Sequence, residues 1–177
     1  MNKIKIAVSG RSGCGNTTIS KLAAENLGLD FINFTFRSLA AERDVDLKKI
    51  MELAAQDDSW DREVDTRQVK LARESKGCVL GSRLAVWMLK EADLKVYLKA
   101  KPEVRAMRIF NREGGNLDEI AAFTAERDKQ DHGRYLRIYN IDTDNFDFVD
   151  MIIDTDNLTP AEIAGAIAKK AQEIKCI

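Results

Sequence analysis

The stretch Gly10-Arg11-Ser12-Gly13-Cys14-Gly15-Asn16-Thr17, followed by Thr18, decides how this chain is read. Before it, Ile4, Ile6 and Val8 alternate with Lys3, Lys5 and Ala7, the period-two spacing of a strand. After it, Ile19, Leu22, Ala23 and Leu27 recur at helical spacing. The order strand, glycine loop, helix fits the phosphate-loop pattern GxxxxGK[ST] at both glycines and at the hydroxyl, with Asn16 where the pattern has lysine. Gly10, Gly13 and Gly15 allow the backbone to wrap with its N–H groups inward at a helix N-terminus, whose dipole favours anions. Such cradling needs no lysine. Thr17 can offer its hydroxyl to Mg²⁺ and Thr18 can bond a phosphate oxygen, whereas Asn16 donates hydrogen bonds without supplying charge. A glycine-rich turn without a ligand is the plain alternative; the position between strand and helix favours a bound nucleotide.

Working outward, Gly28 is placed to cap the first helix, and Asp30-Phe31-Ile32-Asn33 reads as a second short strand. Phe36 to Glu42 and Asp46 to Ala55 read as short helices, and Trp60, Val64, Gln68 and Leu71 mark one face of a longer one, so a helical insert follows the second strand. Cys78-Val79-Leu80, Leu94 to Leu98 and Met151-Ile152-Ile153 are further strands, separated by helices over Leu84 to Lys90, Pro102 to Arg112 and Leu117 to about Tyr139. Thr159-Pro160-Ala161-Glu162 has the form of a capping box opening a last helix with Ile163, Ile167 and Ile174 inward. Strands alternating with helices imply an α/β fold, a parallel sheet of about five strands in three layers, with ligands outside the carboxyl ends of the strands. The site is then expected near Gly10, Asn33, Gly81 and the start of the Pro102 helix.

The 177 residues amount to one domain, 1–177, and the 45% apolar content suffices for a core with only 10 glycines and 2 prolines to interrupt it. With 28 basic against 29 acidic residues there is no global basic field for nucleic acid. The longest apolar run, Leu84 to Leu89, is six residues, far below the roughly 20 that span a bilayer. No secretory h-region precedes the first strand, so a cytoplasmic location is expected. Cys14, Cys78 and Cys176 lack metal-ligand or disulfide spacing and are expected to be reduced thiols.

Without the lysine, positive charge for phosphate must come from elsewhere. Arg37 and Arg83 follow predicted strand ends, where the fold places ligands. Arg105, Arg108 and Arg112 share one helical face, and Arg127, Asp131 and Arg134 another; such stripes are as often solvated faces as binding faces.

Taken in order, the loop, Phe36-Arg37-x-Leu39-Ala40, Asp61-Arg62-Glu63-Val64-Asp65-x-Arg67-Gln68 and Arg83-Leu84-Ala85-x-Trp87-Met88 resemble the short, archaeal-type cytidylate kinase family of nucleoside monophosphate kinases. Ala92 to Ala100, Glu103-Val104-Arg105 with Arg108-Ile109, Arg134-Tyr135 and Ile138-Tyr139-x-Ile141-Asp142 extend the likeness over nearly the whole chain. The resemblance implies a P-loop kinase transferring the γ-phosphoryl group of ATP to CMP or dCMP with Mg²⁺, working as a monomer on small nucleotides. It implies an acceptor-binding insert over 34–76 and a lid over about 113–140. Arg37 would hold the acceptor phosphate, Arg83 the acceptor phosphate or base, and Arg108 and Arg112 the donor nucleotide. Arg127 and Arg134 would clamp phosphates from the lid, Asp131 would meet the acceptor ribose, and Asp61, Asp65 and Gln68 would wall the acceptor pocket. His132 reads as a solvated lid residue. The chain departs from the family where Glu-Gly-Arg or Asp-Gly-Arg is replaced by Gly81-Ser82-Arg83, and where Ser-Ala-Gly-Asp is replaced by Ile32-Asn33-Phe34-Thr35. Those departures leave room for a nucleotide-binding regulatory protein with weakened chemistry, or for a kinase of another small acceptor.

Overall fold

The computed structural model describes residues 4–175; Lys3 and Cys176, which enter the reading above, lie outside them. The glycine loop follows β1 (Lys5–Gly10), the middle strand of a five-stranded sheet of order β2-β3-β1-β4-β5. The other strands are β2 (Asp30–Ile32), β3 (Cys78–Gly81), β4 (Leu94–Lys99) and β5 (Met151–Asp154), and every pairing is parallel. Register fixes the geometry of the site: Val8 pairs with Gly81 on one side and Val96 on the other, so the carboxyl ends of three strands come level. The sequence alternation in β1 suggests one buried face. In the fold both faces are covered, because Ala7 and Ser9 are as inaccessible as Ile6 and Val8.

On one face of the sheet, α1 (Asn16–Leu27) and α8 (Pro160–Lys175) pack together, and Ile6, Val8, Ile19, Val96, Ile163 and Ile167 fill the space between. On the other, α4 (Ser59–Glu74) and α5 (Ala85–Met88) cover Ala7, Leu80 and Tyr97. A third cluster, built on Phe34, Leu39, Ile50 and Val64, holds α2 (Phe36–Arg43) and α3 (Leu47–Ala54) to α4. The helices expected after the second strand therefore have a core of their own. α6 (Pro102–Glu113) and α7 (Leu117–Tyr139) pack on each other beyond β4.

Local signals start and stop these helices. Gly28 ends α1 at φ 60. Thr159 and Glu162 cap α8 reciprocally: the Thr159 amide donates to the Glu162 carboxylate at 2.8 Å and the Glu162 amide to the Thr159 hydroxyl at 3.3 Å. Asn116 accepts from the Asp118 and Glu119 amides at 2.9 and 3.1 Å to open α7. Two details differ from the sequence reading. On α4 the buried face is Asp61, Val64, Gln68, Val69 and Ala72, whereas Leu71 is exposed, because the helix docks on β3 one position round from the apolar stripe. α5 is a single turn, Ala85–Met88, rather than a helix over Leu84 to Lys90, and residues 89–93 form a turn into β4. Cys14 and Cys78 are free and buried. Among the described residues no helix is long and apolar enough to cross a membrane.

Leu80 is fully buried in β3 between Ala7 and Ile32. Leu80→Ala is expected to lower the unfolding free energy by about 2–5 kcal/mol, read from the midpoint of urea denaturation at unchanged slope.

Candidate active site

At the carboxyl edge of the sheet lies a cavity of about 1090 Å³. The loop 10–18 forms its floor, and Gly81-Ser82-Arg83, α4, α6, α7 and the start of α8 form its walls. Gly13 and Gly15 take φ of 84 and 86, the left-handed region that only glycine enters without strain. At Gly13 a Cβ would also lie 2.8 Å from the Arg105 backbone carbonyl, so loop and α6 approach as backbone to side-chain stem. Gly15 is the N-cap of α1 and brings no side-chain bond to its first turn. The amides of Asn16, Thr17 and Thr18 therefore have no acceptor within the helix, and all three residues line the cavity. An uncapped helix start behind a left-handed glycine loop fits a chain of phosphates. Thr17 and Thr18 are exposed to the cavity, and Thr17 is the loop hydroxyl able to reach a nucleotide-bound Mg²⁺. Cys14 is buried under the loop, where burial pushes its thiol pKa up.

Asn16 behaves differently from the expectation that its amide serves a phosphate. The side-chain Nδ2 donates to the Val8 and Ser82 carbonyls, each at 3.2 Å, and Oδ1 accepts from the Ser20 hydroxyl at 3.0 Å. A side chain at Gly81 would fall 2.6 Å from that same hydroxyl.

The α6 stripe divides into three roles. Arg105 is 3% exposed; it donates to the Ser12 carbonyl at 3.1 Å and pairs with Asp128 at 2.7 Å. Arg108 donates to the Gly13 carbonyl at 3.4 Å and to the Thr155 hydroxyl at 2.9 Å, and it lines the cavity. Arg112 also lines it, and pairs at its exposed outer side with Glu113. The part of α6 that lines the cavity is thus its second half, at Arg108 and Arg112, while its first turn packs under the loop through Arg105.

From α7, Arg127, Asp131 and Arg134 all line the cavity. Asp131 pairs with Arg83, and with Arg134 at 3.0 Å. Arg134 also lies 3.5 Å from Asp61. Arg127 has no ion pair among the described residues; desolvation, then the neighbouring Arg83 charge, lower its pKa. Asp61, Asp65 and Gln68 wall the side next to the helical insert. Tyr139 donates to Asp65 at 2.8 Å and Gln68 to Asp65 at 3.0 Å. Burial nevertheless outweighs these bonds and raises the Asp65 carboxyl to about 6. Burial likewise raises Asp61, against the lowering effect of Arg134. Asp61 Oδ2 and Gln68 Oε1 are buried acceptors without a partner among the described residues, the state expected of groups whose donor is a ligand.

One expected residue stands apart. Arg37, in the first turn of α2, is exposed and outside the cavity lining, although Thr35 and Phe36 beside it are part of that lining. His132 is also off the cavity; its Nδ1 lies 3.1 Å from the Thr143 hydroxyl and near Asp142 and Asp144. Arg11 pairs with Asp144 there. The sequence reading misses Asp128, Tyr139 and Thr155, and treats Arg105 as one member of a surface stripe. No local spacing marks these residues, since their partners are about 23 to 93 positions away.

Residues 5–157 match the model of the cytidylate kinase-like family. A cytidylate kinase 2 of Borreliella afzelii is 46% identical over 164 residues, covering 90% of this chain and 92% of the relative. A cytidylate kinase of Pyrococcus horikoshii is 41% identical over 172 residues, covering 96% of this chain and 88% of the relative. Among solved structures, a shikimate kinase from Acinetobacter baumannii in complex with shikimate superposes with a TM-score of 0.66 at 17% identity, over 99% of this chain and 96% of that one. That likeness concerns the fold.

The raised Asp65 makes the folded protein bind more protons than the unfolded chain between the ordinary value of 3.8 and about 6. Stability from this group is therefore gained as pH falls through that window and lost as it rises. The stability of the native chain relative to Asp65→Asn is expected to improve from pH 7 to pH 5 in paired urea melts; a pH-independent difference would contradict the raised pKa.

Proposed function

The chain belongs to the cytidylate kinase-like family and is a nucleoside monophosphate kinase; we propose that this cavity transfers the γ-phosphoryl group of ATP to CMP or dCMP. The observation that supports this reading is convergence: the loop amides, Arg83, Arg108, Arg112, Arg127 and Arg134 come from four separate segments and line one cavity beside unpaired buried acceptors. Each part has a task in such a transfer. Loop amides and Thr18 hold the donor phosphates, with Arg108 and Arg112 along the donor nucleotide. The Thr17 hydroxyl would help hold Mg²⁺ beside the donor phosphates, where the ion would supply charge neutralisation on the donor.

An oxygen of the acceptor phosphate forms the new bond to the γ-phosphorus as the bond to the ADP oxygen breaks. That acceptor is already ionised, so no side-chain nucleophile or strong base is required, in keeping with a cavity to which His132 does not contribute. Arg83, Arg127 and Arg134 neutralise the equatorial oxygens, and Arg37 reaches the acceptor phosphate from the rim. Asp131 meets the acceptor ribose once nucleotide phosphates take its place against the arginines. Cytosine carries a 4-amino donor that suits the acceptors Asp61 Oδ2 and Gln68 Oε1, and Asp65 backs that wall through Gln68. Residues 34–76 form the acceptor-binding insert and 113–140 the lid that excludes water. The enzyme works as a cytoplasmic monomer on small nucleotides, away from nucleic acid and membranes.

The test is ADP release with CMP, dCMP, UMP, AMP and non-nucleotide acceptors, alongside titration of ATP and CMP. Turnover is expected with CMP and dCMP; binding of both nucleotides without turnover would refute the transfer. Arg37→Ala and Arg83→Ala are each expected to lower turnover by about two orders of magnitude or more, the scale lost when one charge-stabilising donor is removed. Arg37→Ala should leave the melting temperature near that of the native chain, because its side chain is exposed.

A further inference from the structure

The Asn16 carboxamide lies between the carboxyl ends of two neighbouring strands. Its Nδ2 bridges the Val8 carbonyl of β1 and the Ser82 carbonyl just past β3, each at 3.2 Å. The Ser82 amide itself donates to the Val8 carbonyl at 3.1 Å, and the Ser9 hydroxyl donates to the Ser82 carbonyl at 2.9 Å. The backbone of Ser82, which leads into Arg83, is therefore held by three hydrogen bonds, two at its carbonyl and one at its amide, and Asn16 is the link that ties it to the phosphate loop.

The other end of the carboxamide is held as well. Oδ1 accepts from Ser20, whose side chain is fully buried one turn along α1. This pair occupies the space beside Gly81: a Cβ on Gly81 would lie 2.6 Å from the Ser20 hydroxyl, 2.7 Å from the Ser20 Cβ and 3.2 Å from Asn16 Oδ1. The missing lysine and the missing acid at the end of β3 thus meet in one contact. A bare residue at 81 makes room for Ser20, and Ser20 fixes Asn16.

We propose that Asn16 is a positioning residue that aims Arg83 into the cavity by tying the ends of β1 and β3 to the phosphate loop, with its side chain turned away from the nucleotide. Asn16 is then no weak substitute for lysine. A lysine at this position offers no acceptor to Ser20. If its ammonium turned into the cavity, the Val8 and Ser82 carbonyls would each lose a donor. The assignment rests on the kinase reading, in which Arg83 touches the acceptor.

The experiment compares the native chain with Asn16→Lys, Asn16→Ala, Ser20→Ala and the Asn16→Ala/Ser20→Ala pair. Steady-state ADP formation is measured with CMP varied at saturating ATP, and ATP and CMP affinities are measured separately by calorimetry. Asn16→Lys and Asn16→Ala are expected to lower kcat/KM for CMP about tenfold, the equivalent of one or two lost hydrogen bonds, with ATP affinity within about twofold of the native chain. Ser20→Ala should move the same parameters in the same direction, and should add nothing in the Asn16→Ala background. A purely structural role predicts instead a lower melting temperature with both nucleotides affected alike, and that pattern overturns the proposal. So does a gain in kcat from Asn16→Lys, which would make position 16 a phosphate contact. Ser20→Ala removes a single hydroxyl and keeps the test open if an Asn16 variant folds poorly. If the native chain itself gives no turnover, the kinase reading fails. The Asn16 assignment is then judged on CMP affinity, which must fall in Asn16→Ala for it to stand.

Discussion

At the head of α1 the backbone amides of the first turn have no acceptor inside the helix, and Gly15 brings no side chain to cap them. This is the constraint to which the surrounding structure conforms. Uncapped amides are tolerable where water or an anion meets them, so the loop must face a cavity and cannot be packed over. The loop must also be firm, since a cradle that flexes loses its preference for phosphate. Firmness comes from beneath: the Gly10 α-carbon sits against Leu98, and Gly13 against Arg105, each too close for a side chain. β1 runs through the middle of the sheet and is buried from Ile6 to Gly10, so the loop inherits the rigidity of a central strand.

A net charge of -1 conceals a strongly organised local field. Guanidinium groups from the turn after β3 and from α6 and α7 surround the cavity, and they would repel one another if left bare. Aspartates on α7 separate them. Asp128 pairs with buried Arg105, which would otherwise be an uncompensated interior charge costing several kcal/mol, and Asp131 lies between Arg83 and Arg134. The arrangement puts positive charge at a phosphate site without a lysine in the loop. It does so partly at one remove, since Arg105 grips the Ser12 carbonyl without lining the cavity, whereas Arg108 both donates to the Gly13 carbonyl and lines it.

The two departures from the usual pattern, Asn16 and Gly81, look like independent losses along the chain and are neighbours in space. Ser20 connects them, through a hydrogen bond to one and close packing on the other. The buried strand ends gain donors for carbonyls that a lysine turned toward phosphate would not serve. Chemistry lost in sequence notation has become geometry in the fold.

Periodicity and punctuation decided the elements without help from tertiary structure. The strand-loop-helix of residues 5–27, five parallel strands and the capping box at Thr159 are local features, set by side-chain spacing and backbone conformational preference. The same local logic placed the glycine loop and Arg83 at the carboxyl edge of the sheet, where both line the cavity, whereas Arg37 lies outside that lining. Only the folded chain decided what each polar side chain touches. Arg105 and Arg112 belong to one stripe in sequence, yet one is sealed under the loop and the other faces solvent. Asn16 sits at the lysine position, yet it bonds to two strands. Spacing records which face of a helix a residue occupies, whereas burial and hydrogen-bond partners depend on segments tens of residues away, brought together by the crossovers of a parallel sheet.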